Sequence, residues 1–319
     1  MPILDVRGLT TYYTTRRGPV RAAEDVTFSI EKAEAMGLAG ESGCGKTTVA
    51  LSILRLLPPN GKIIRGEVLF KGLDITKLPE SRLRKEVRWK GISLIFQGAM
   101  NALNPVYRIG DQIVEAIRAH ENVSKKEALE RAKRLFELVE LDPSRVNNYP
   151  HEFSGGMRQR AMIAMALACN PDILIADEPG TALDVIVQAQ VLKLIDNLRK
   201  KLKISVIMIT HDLSIISETC SSLTIMYAGK VVEYGDVVTM FKKPLHPYTQ
   251  ALIAAFPDIK EKKRRKMVAI PGSPPNLLNP PSGCRFYPRC KYAMDICRKE
   301  APELIEVEKG HYVACHLIQ

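Results

Sequence analysis

The stretch Ala39-Gly40-Glu41-Ser42-Gly43-Cys44-Gly45-Lys46-Thr47-Thr48 decides how the rest of the chain is read. It fits the pattern G-x-x-x-x-G-K-T, a loop that wraps phosphate. Gly40, Gly43 and Gly45 let the backbone curl and turn its N–H groups inward onto an anion. Ser42 and Cys44 lie within the curl, and Thr48 enters the helix behind it. Lys46 can reach the β- and γ-phosphates, and the Thr47 hydroxyl can ligate Mg²⁺. Upstream, the apolar run Ala35-Met36-Gly37-Leu38-Ala39 predicts a strand feeding the loop. Downstream, Thr48 to Leu54 predicts a helix whose positive end faces the anion. Strand, loop and helix in this order predict binding of a nucleoside triphosphate.

The 319 residues suffice for about two domains. With 46% hydrophobic and 25% charged residues, the composition is that of a folded, soluble chain. No run approaches the ~18 apolar residues that span a bilayer. The N-terminal Met-Pro-Ile-Leu-Asp-Val-Arg has no apolar signal core, so a cytosolic protein is expected. A formal charge of +11 fits an anionic neighbour, membrane surface or nucleic acid, or simply a basic soluble surface.

Outward from the loop, residues 3–31 alternate apolar and polar, as antiparallel edge strands do. Tyr12 and Tyr13 lie among them, and an aromatic there can stack on a base or sit half-buried in a strand. A short strand is expected at Gly66–Gly72 and a charged helical segment around Ser81–Lys90. Ile92–Phe96 predicts a buried strand ending on Gln97, which can reach toward a bound metal or water. Asp111 to Leu141 shows helical spacing throughout and predicts an inserted helical subdomain. In Phe153-Ser154-Gly155-Gly156-Met157, Ser154 can cap a helix over Met157–Cys169. The N–H groups of Gly155 and Gly156 then offer a second anion site. Asp172–Ala176 predicts a strand ending on Asp177 and Glu178. Asp177 there is placed to hold Mg²⁺ through its water shell, and Glu178 to polarise an attacking water. Ser205–Thr210 predicts another buried strand, ending on His211, a candidate γ-phosphate contact. Leu223–Tyr227 and Val231–Tyr234 predict a hairpin. Past residue 240 prolines multiply, a basic run occupies Lys260–Lys266, and a domain boundary is expected.

Together the phosphate loop, Gln97, Ser154-Gly155-Gly156-Met157, Asp177-Glu178, Ala182-Leu183-Asp184 and His211 resemble an ATP-binding-cassette transporter ATPase. The resemblance narrows to the dipeptide/oligopeptide importer branch. It does so through Met100 and Leu103-Asn104-Pro105, Pro244-Leu245-His246-Pro247-Tyr248-Thr249, and Pro271-Gly272-Ser273-Pro274-Pro275. Cys284-Arg285-Phe286-Tyr287-Pro288-Arg289-Cys290 carries it into the tail. The resemblance implies an α/β fold: a P-loop ATPase core with a mixed central sheet, an antiparallel β edge subdomain and an inserted helical subdomain. A small Cys-rich C-terminal extension completes it. The nucleotide-binding domain is then 1–240, with the helical and signature subdomain at about 98–165, and the extension is 241–319.

The resemblance also assigns roles. Tyr13 stacks on adenine, and Gln97 senses Mg²⁺ and the membrane partner. Ser154 and Gly156 contact the γ-phosphate of ATP held by a second cassette. Glu178 is the catalytic base and His211 the switch histidine. ATP and Mg²⁺ are the cofactors, and two cassettes close head-to-tail on two ATP molecules. The expected partners are a second, sister ATPase, two integral permease subunits and an extracellular or periplasmic binding protein. The chain then lies peripherally on the cytoplasmic face of the membrane. Cargo is di- or oligopeptide, with di- or oligosaccharide as the alternative. A soluble cassette acting on nucleic acid is a further reading. The short helical segment argues against it, and no nucleic acid is expected. Gly98-Ala99 stands where the branch usually has Asp-Pro, Gly180 where it has Thr or Ser, and Cys44 where Ser is common. None of these removes a catalytic group.

Of seven cysteines, Cys284, Cys290, Cys297 and Cys315 crowd the end in the spacing C-x5-C-x6-C-x17-C. This differs from the C-x2-C pairs of common zinc sites. The resemblance implies a [4Fe–4S] cluster here, as some relatives of this branch carry, and four thiolates would satisfy one. Zinc and free thiols are the alternatives.

Overall fold

The computed structural model describes residues 1–98, 102–255 and 270–319. Ala99 and Met100, and the basic run Lys260–Lys266, lie outside the described residues. The chain divides into two compact units: residues 1–30, 36–76 and 209–319 in one, and 31–35 and 77–208 in the other.

In the first unit an antiparallel sheet has the strand order Gly18–Ile30, Leu4–Thr15, Gly61–Phe70, Leu73–Asp74. The alternation expected over residues 3–31 is realised as a long hairpin pairing Leu4 with Ile30 and Thr15 with Gly18. The strand expected at Gly66 begins earlier, at Gly61, and pairs Tyr13 with Gly61. Its outer half projects from the core, Ile64 being 54% exposed, so no clean apolar alternation marks it.

The strand Ala35–Ala39 is buried along its whole length. A continuous apolar run of this kind suits a parallel strand covered on both faces. It runs parallel to Ser222–Tyr227, itself buried throughout, with Met36 opposite Ser222 and Ala39 opposite Ile225. Gly37 is required here, because a Cβ would lie 2.6 Å from the Ile216 side chain. Ser222–Tyr227 pairs antiparallel with Lys230–Asp236, which pairs in turn with His311–Val313, and that strand with Ile305–Glu308. The sheet is therefore mixed, and strands from the end of the chain extend it.

In the second unit the strands Ile173–Asp177 and Ile92–Ile95 run parallel, and Ile173–Asp177 also neighbours the strand Ser205–Thr210, of which residues 205–208 belong to this unit. The helical run expected from Asp111 to Leu141 is two helices, Ile109–His120 and Lys125–Leu138. Ser124 makes the break by accepting from the Glu127 N–H, a cap that helical periodicity alone does not reveal. Around Ser81–Lys90 only Glu80–Arg82 is α-helical. Leu83–Val87 forms a π turn, closed by the Arg88 N–H on the Leu83 carbonyl at 2.9 Å, which leaves Leu83 and Val87 buried. The signature helix is Gly155–Ala166, earlier at both ends than its apolar spacing suggests.

Candidate nucleotide site

The phosphate loop joins the strand Ala35–Ala39 to the helix Lys46–Ile53. All three glycines take positive φ: 148° at Gly40, 77° at Gly43 and 104° at Gly45. A Cβ on Gly40 would lie 2.1 Å from the Met226 carbonyl oxygen, and one on Gly45 2.1 Å from that of Ala22. Both neighbours are backbone, so neither position admits a larger residue without moving the loop. Around Gly43, by contrast, the space is open for 4 Å. The helix begins at Gly45 without a side-chain cap, which leaves its first N–H groups for an incoming anion. Lys46 is buried and bends back over the loop, donating to the Gly40 carbonyl at 2.7 Å and the Glu41 carbonyl at 3.1 Å. Thr47 is exposed at the rim. An ammonium held on the loop carbonyls, ahead of a helix N-terminus with no side-chain cap, is a donor set that suits a triphosphate. The loop fits the phosphates, and Thr47 is the group within it that can ligate Mg²⁺.

Tyr13 lies beside this loop, half-buried, its hydroxyl donating to Thr48 Oγ1 at 3.2 Å. Its ring borders Gly61, where a Cβ would lie 2.8 Å away. Burial keeps the Cys44 thiol above its ordinary pKa, offset in part by Lys46, so Cys44 fills space as a neutral group. His211 is exposed in the same unit, immediately after the strand Ser205–Thr210.

In the second unit the strand Ile173–Asp177 delivers Asp177, which is 2% exposed. Glu178 follows at φ 46°, a left-handed conformation that turns the chain sharply after the strand. Gln97 Nε2 donates to Glu178 Oε2 at 2.8 Å, so two residues 81 apart in sequence meet. Thr181 Oγ1 donates to the same oxygen at 3.0 Å. Thr181 is a site residue that sequence reasoning missed, since a lone exposed threonine after Gly180 carries no signal. Gly180 itself makes room: a Cβ would lie 2.4 Å from the Gln188 side chain. Asp184 caps the helix Val185–Leu202, accepting from the Ile186 and Val187 N–H groups. Ser154 caps its helix as expected, accepting from the Met157 N–H at 3.3 Å, and is exposed with Gly155 and Gly156 half-buried behind it.

The cysteine tail packs in the first unit. Cys284, Cys290, Cys297 and Cys315 all line one small cavity with His246. All four are free thiols. Burial pushes the Cys284 thiol up to about 11 and raises Cys290 and Cys315, with neighbouring sulfurs adding to the shift. Among the described residues, no three His, Cys, Asp or Glu side chains stand in a metal-holding arrangement. The four thiols converge on one cavity, and burial favours the neutral form of Cys284, Cys290 and Cys315.

Residues 23–181 match the ABC transporter family, and residues 232–297 match the oligopeptide/dipeptide transporter C-terminal region. Over 316 residues the chain is 49% identical to the probable peptide ABC transporter ATP-binding protein of Sinorhizobium fredii, spanning 98% of this chain and 94% of that one. It is 46% identical over 315 residues to the oligopeptide transport ATP-binding protein OppD of Escherichia coli, spanning 98% and 92%. The chain belongs to the oligopeptide/dipeptide branch of the ABC transporter ATP-binding subunits. A dipeptide transport ATP-binding protein, DppD of Caldanaerobacter subterraneus, is 42% identical to this ABC subunit over 319 residues, spanning 99% and 97%. Among solved structures, a dimeric bacterial ABC transporter cassette superposes with TM-score 0.65 at 27% identity, covering 73% of this chain and 98% of that one. The same cassette in a post-hydrolysis state bound to ADP and Pi gives the same TM-score, 0.65. The ABC cassette fold, α/β with mixed and antiparallel sheets, is thereby established.

Proposed function

We propose that this subunit hydrolyses ATP to ADP and phosphate and thereby powers import of di- or oligopeptides through membrane partners. The observation that carries the reading is the phosphate loop, with its three left-handed glycines and Lys46 folded over the Gly40 and Glu41 carbonyls. The names of the relatives support peptide cargo over saccharide and over nucleic acid. Lys46 and the N–H groups of residues 42–48 hold the phosphates, Thr47 takes Mg²⁺, and Asp177 supports the ion. Tyr13 stacks on the adenine. Glu178 accepts the proton of the attacking water, and Gln97 and Thr181 hold its carboxylate in place. His211 contacts the γ-phosphate. Ser154, Gly155 and Gly156 present their N–H groups and hydroxyl to ATP held by a second cassette. Mg²⁺, when bound at Thr47, would supply neutralisation of the phosphates' negative charge.

The functional division is read as a cassette over 1–240 and an extension over 241–319. Two permease subunits, a binding protein and a sister ATPase complete the transporter. No helix among the described residues is long and apolar enough to cross a membrane, and a peripheral position on the cytoplasmic face fits that. For the tail, convergence of four cysteines on one cavity supports a [4Fe–4S] cluster as the finer reading. Binding must then deprotonate the thiols and draw them together. Anaerobic purification with iron, sulfide and zinc assay tests this: about four irons per chain is expected, and a metal-free protein refutes it. The ATPase reading is tested separately, by phosphate release from the assembled transporter carrying the wild-type or the Lys46→Ala chain. Turnover in the wild type that is lost in the variant is expected. Equal rates refute the assignment.

A further inference from the structure

The second residue of the phosphate loop, Glu41, is an odd choice for a site that takes a triphosphate. Its carboxylate, on the residue after Gly40, adds negative charge to a loop that takes an anion. Arg289 answers that charge from the tail. Its Nη1 donates to Glu41 Oε2 at 2.6 Å and its Nη2 to Glu41 Oε1 at 2.9 Å, a two-point pair across 248 positions of sequence. The Arg289 side chain is only 4% exposed. Its remaining donors are also used: Nε on the Pro271 carbonyl at 2.7 Å, Nη2 on the Ile270 carbonyl at 3.3 Å, and Nη1 on the Tyr227 hydroxyl at 3.3 Å. The planar fork of arginine allows this, where a lysine offers a single point charge. Glu41 is fixed at its backbone too, its N–H donating to the Tyr248 hydroxyl at 2.9 Å and its carbonyl accepting from Lys46.

Arg289 has a companion four residues earlier. Arg285 donates to the Ala228 carbonyl and pairs with Glu24 at 2.9 Å. The adjacent Gly229 N–H donates to the Cys44 carbonyl of the loop at 2.8 Å. Between the arginines, Phe286 packs against Tyr227 and Tyr248, ring centroids 5.1 and 5.3 Å apart. The seven-residue segment Cys284–Cys290 therefore faces two ways. Its terminal cysteines line the tail cavity, while Arg285 and Arg289 reach the nucleotide loop and its supporting turn.

We propose that Arg289 is a positioning residue for ATP, neutralising Glu41 and setting the phosphate loop, so that the C-terminal segment governs nucleotide affinity. The inference rests on the ATP-binding reading above. It makes the tail a regulator of the loop: whatever displaces Cys290 acts one residue from the pair.

The test is equilibrium binding of a fluorescent ATP analogue to the full-length chain, with thermal melting to check folding. Arg289→Ala should weaken binding about tenfold at low salt, leaving an uncompensated carboxylate on the phosphate loop. Adding Glu41→Gln to that variant should recover most of the loss by removing the carboxylate. The loss should shrink as salt rises and screens the charge. A merely structural Arg289 moves neither the rescue nor the salt dependence. Arg289→Gln, which keeps a donor and deletes the charge, serves if Arg289→Ala folds poorly, and the same tenfold loss is expected. Affinity within twofold of wild type in the folded variant, or no recovery on adding Glu41→Gln, overturns the proposal. A wild-type chain that binds no ATP refutes the ATPase reading instead, so the two failures are distinct.

Discussion

Replacing Glu178 by Gln separates chemistry from structure at this site. The carboxylate Oε2 accepts from Gln97 at 2.8 Å and from Thr181 at 3.0 Å. A glutamine amide oxygen can accept from both donors, so the isosteric change retains the local geometry. Stability should therefore move by less than about 0.5 kcal/mol, as for a change that leaves packing intact. ATP affinity should stay within about threefold, because Glu178 is assigned no phosphate contact. What the amide cannot do is take a proton. A positioned general base contributes roughly 10²–10⁴ in rate, about 2.7–5.4 kcal/mol of barrier at ~1.36 kcal/mol per decade. Phosphate release under saturating Mg²⁺-ATP should fall by that factor, with nucleotide binding preserved. Turnover within threefold of wild type would remove Glu178 from the base role. Loss of ATP binding along with turnover would show that the carboxylate's charge supports nucleotide binding and not only the chemical step.

Other consequences follow from single contacts. Gly45→Ala forces a side chain to φ 104° with its Cβ 2.1 Å from the Ala22 carbonyl. Denaturant titration should show a loss of roughly 1–3 kcal/mol or more for the strained backbone, and ATP binding should fail with it. Ser154→Ala removes the cap on the Met157 N–H, at a cost of about 1 kcal/mol in unfolding free energy. In a Glu178→Gln background it should also abolish ATP-dependent pairing of cassettes, measured by light scattering. Burial pushes the Cys169 thiol from an ordinary 9.0 to about 11. A raised acid pKa favours the neutral folded form, so this contribution is complete below pH ~9 and is lost as pH climbs toward 11. Across that window Cys169→Ala should lose stability less steeply than wild type in paired melts. An identical slope refutes the assignment.

Local chemistry made the loop legible from sequence. A glycine pattern, a lysine and a flanking apolar strand act over ten residues, and the fold reproduces them residue for residue. The strands Ala35–Ala39 and Ser205–Thr210 were equally plain, since full burial demands unbroken apolar runs. Elements set by exposure or by single caps were less so. The strand from Gly61 is exposed on its outer half, and the break before Lys125 depends on the Ser124 hydroxyl. Least legible were the long-range partners. Nothing near Glu41 announces Arg289, and nothing near Glu178 announces Gln97, because topology alone brings such charges and amides together. The cysteine cluster shows both sides: its spacing announced that the four belong together, but not that they meet at one cavity beside His246.

ATP hydrolysis by this chain is expected to drive peptide import. The direct measurement is peptide uptake into vesicles carrying the assembled transporter, with ATP turnover followed in parallel. The prediction is uptake that requires ATP, turnover that rises when peptide is supplied, and loss of both in Glu178→Gln. Uptake that proceeds without ATP, or turnover indifferent to peptide in the assembled complex, would contradict it.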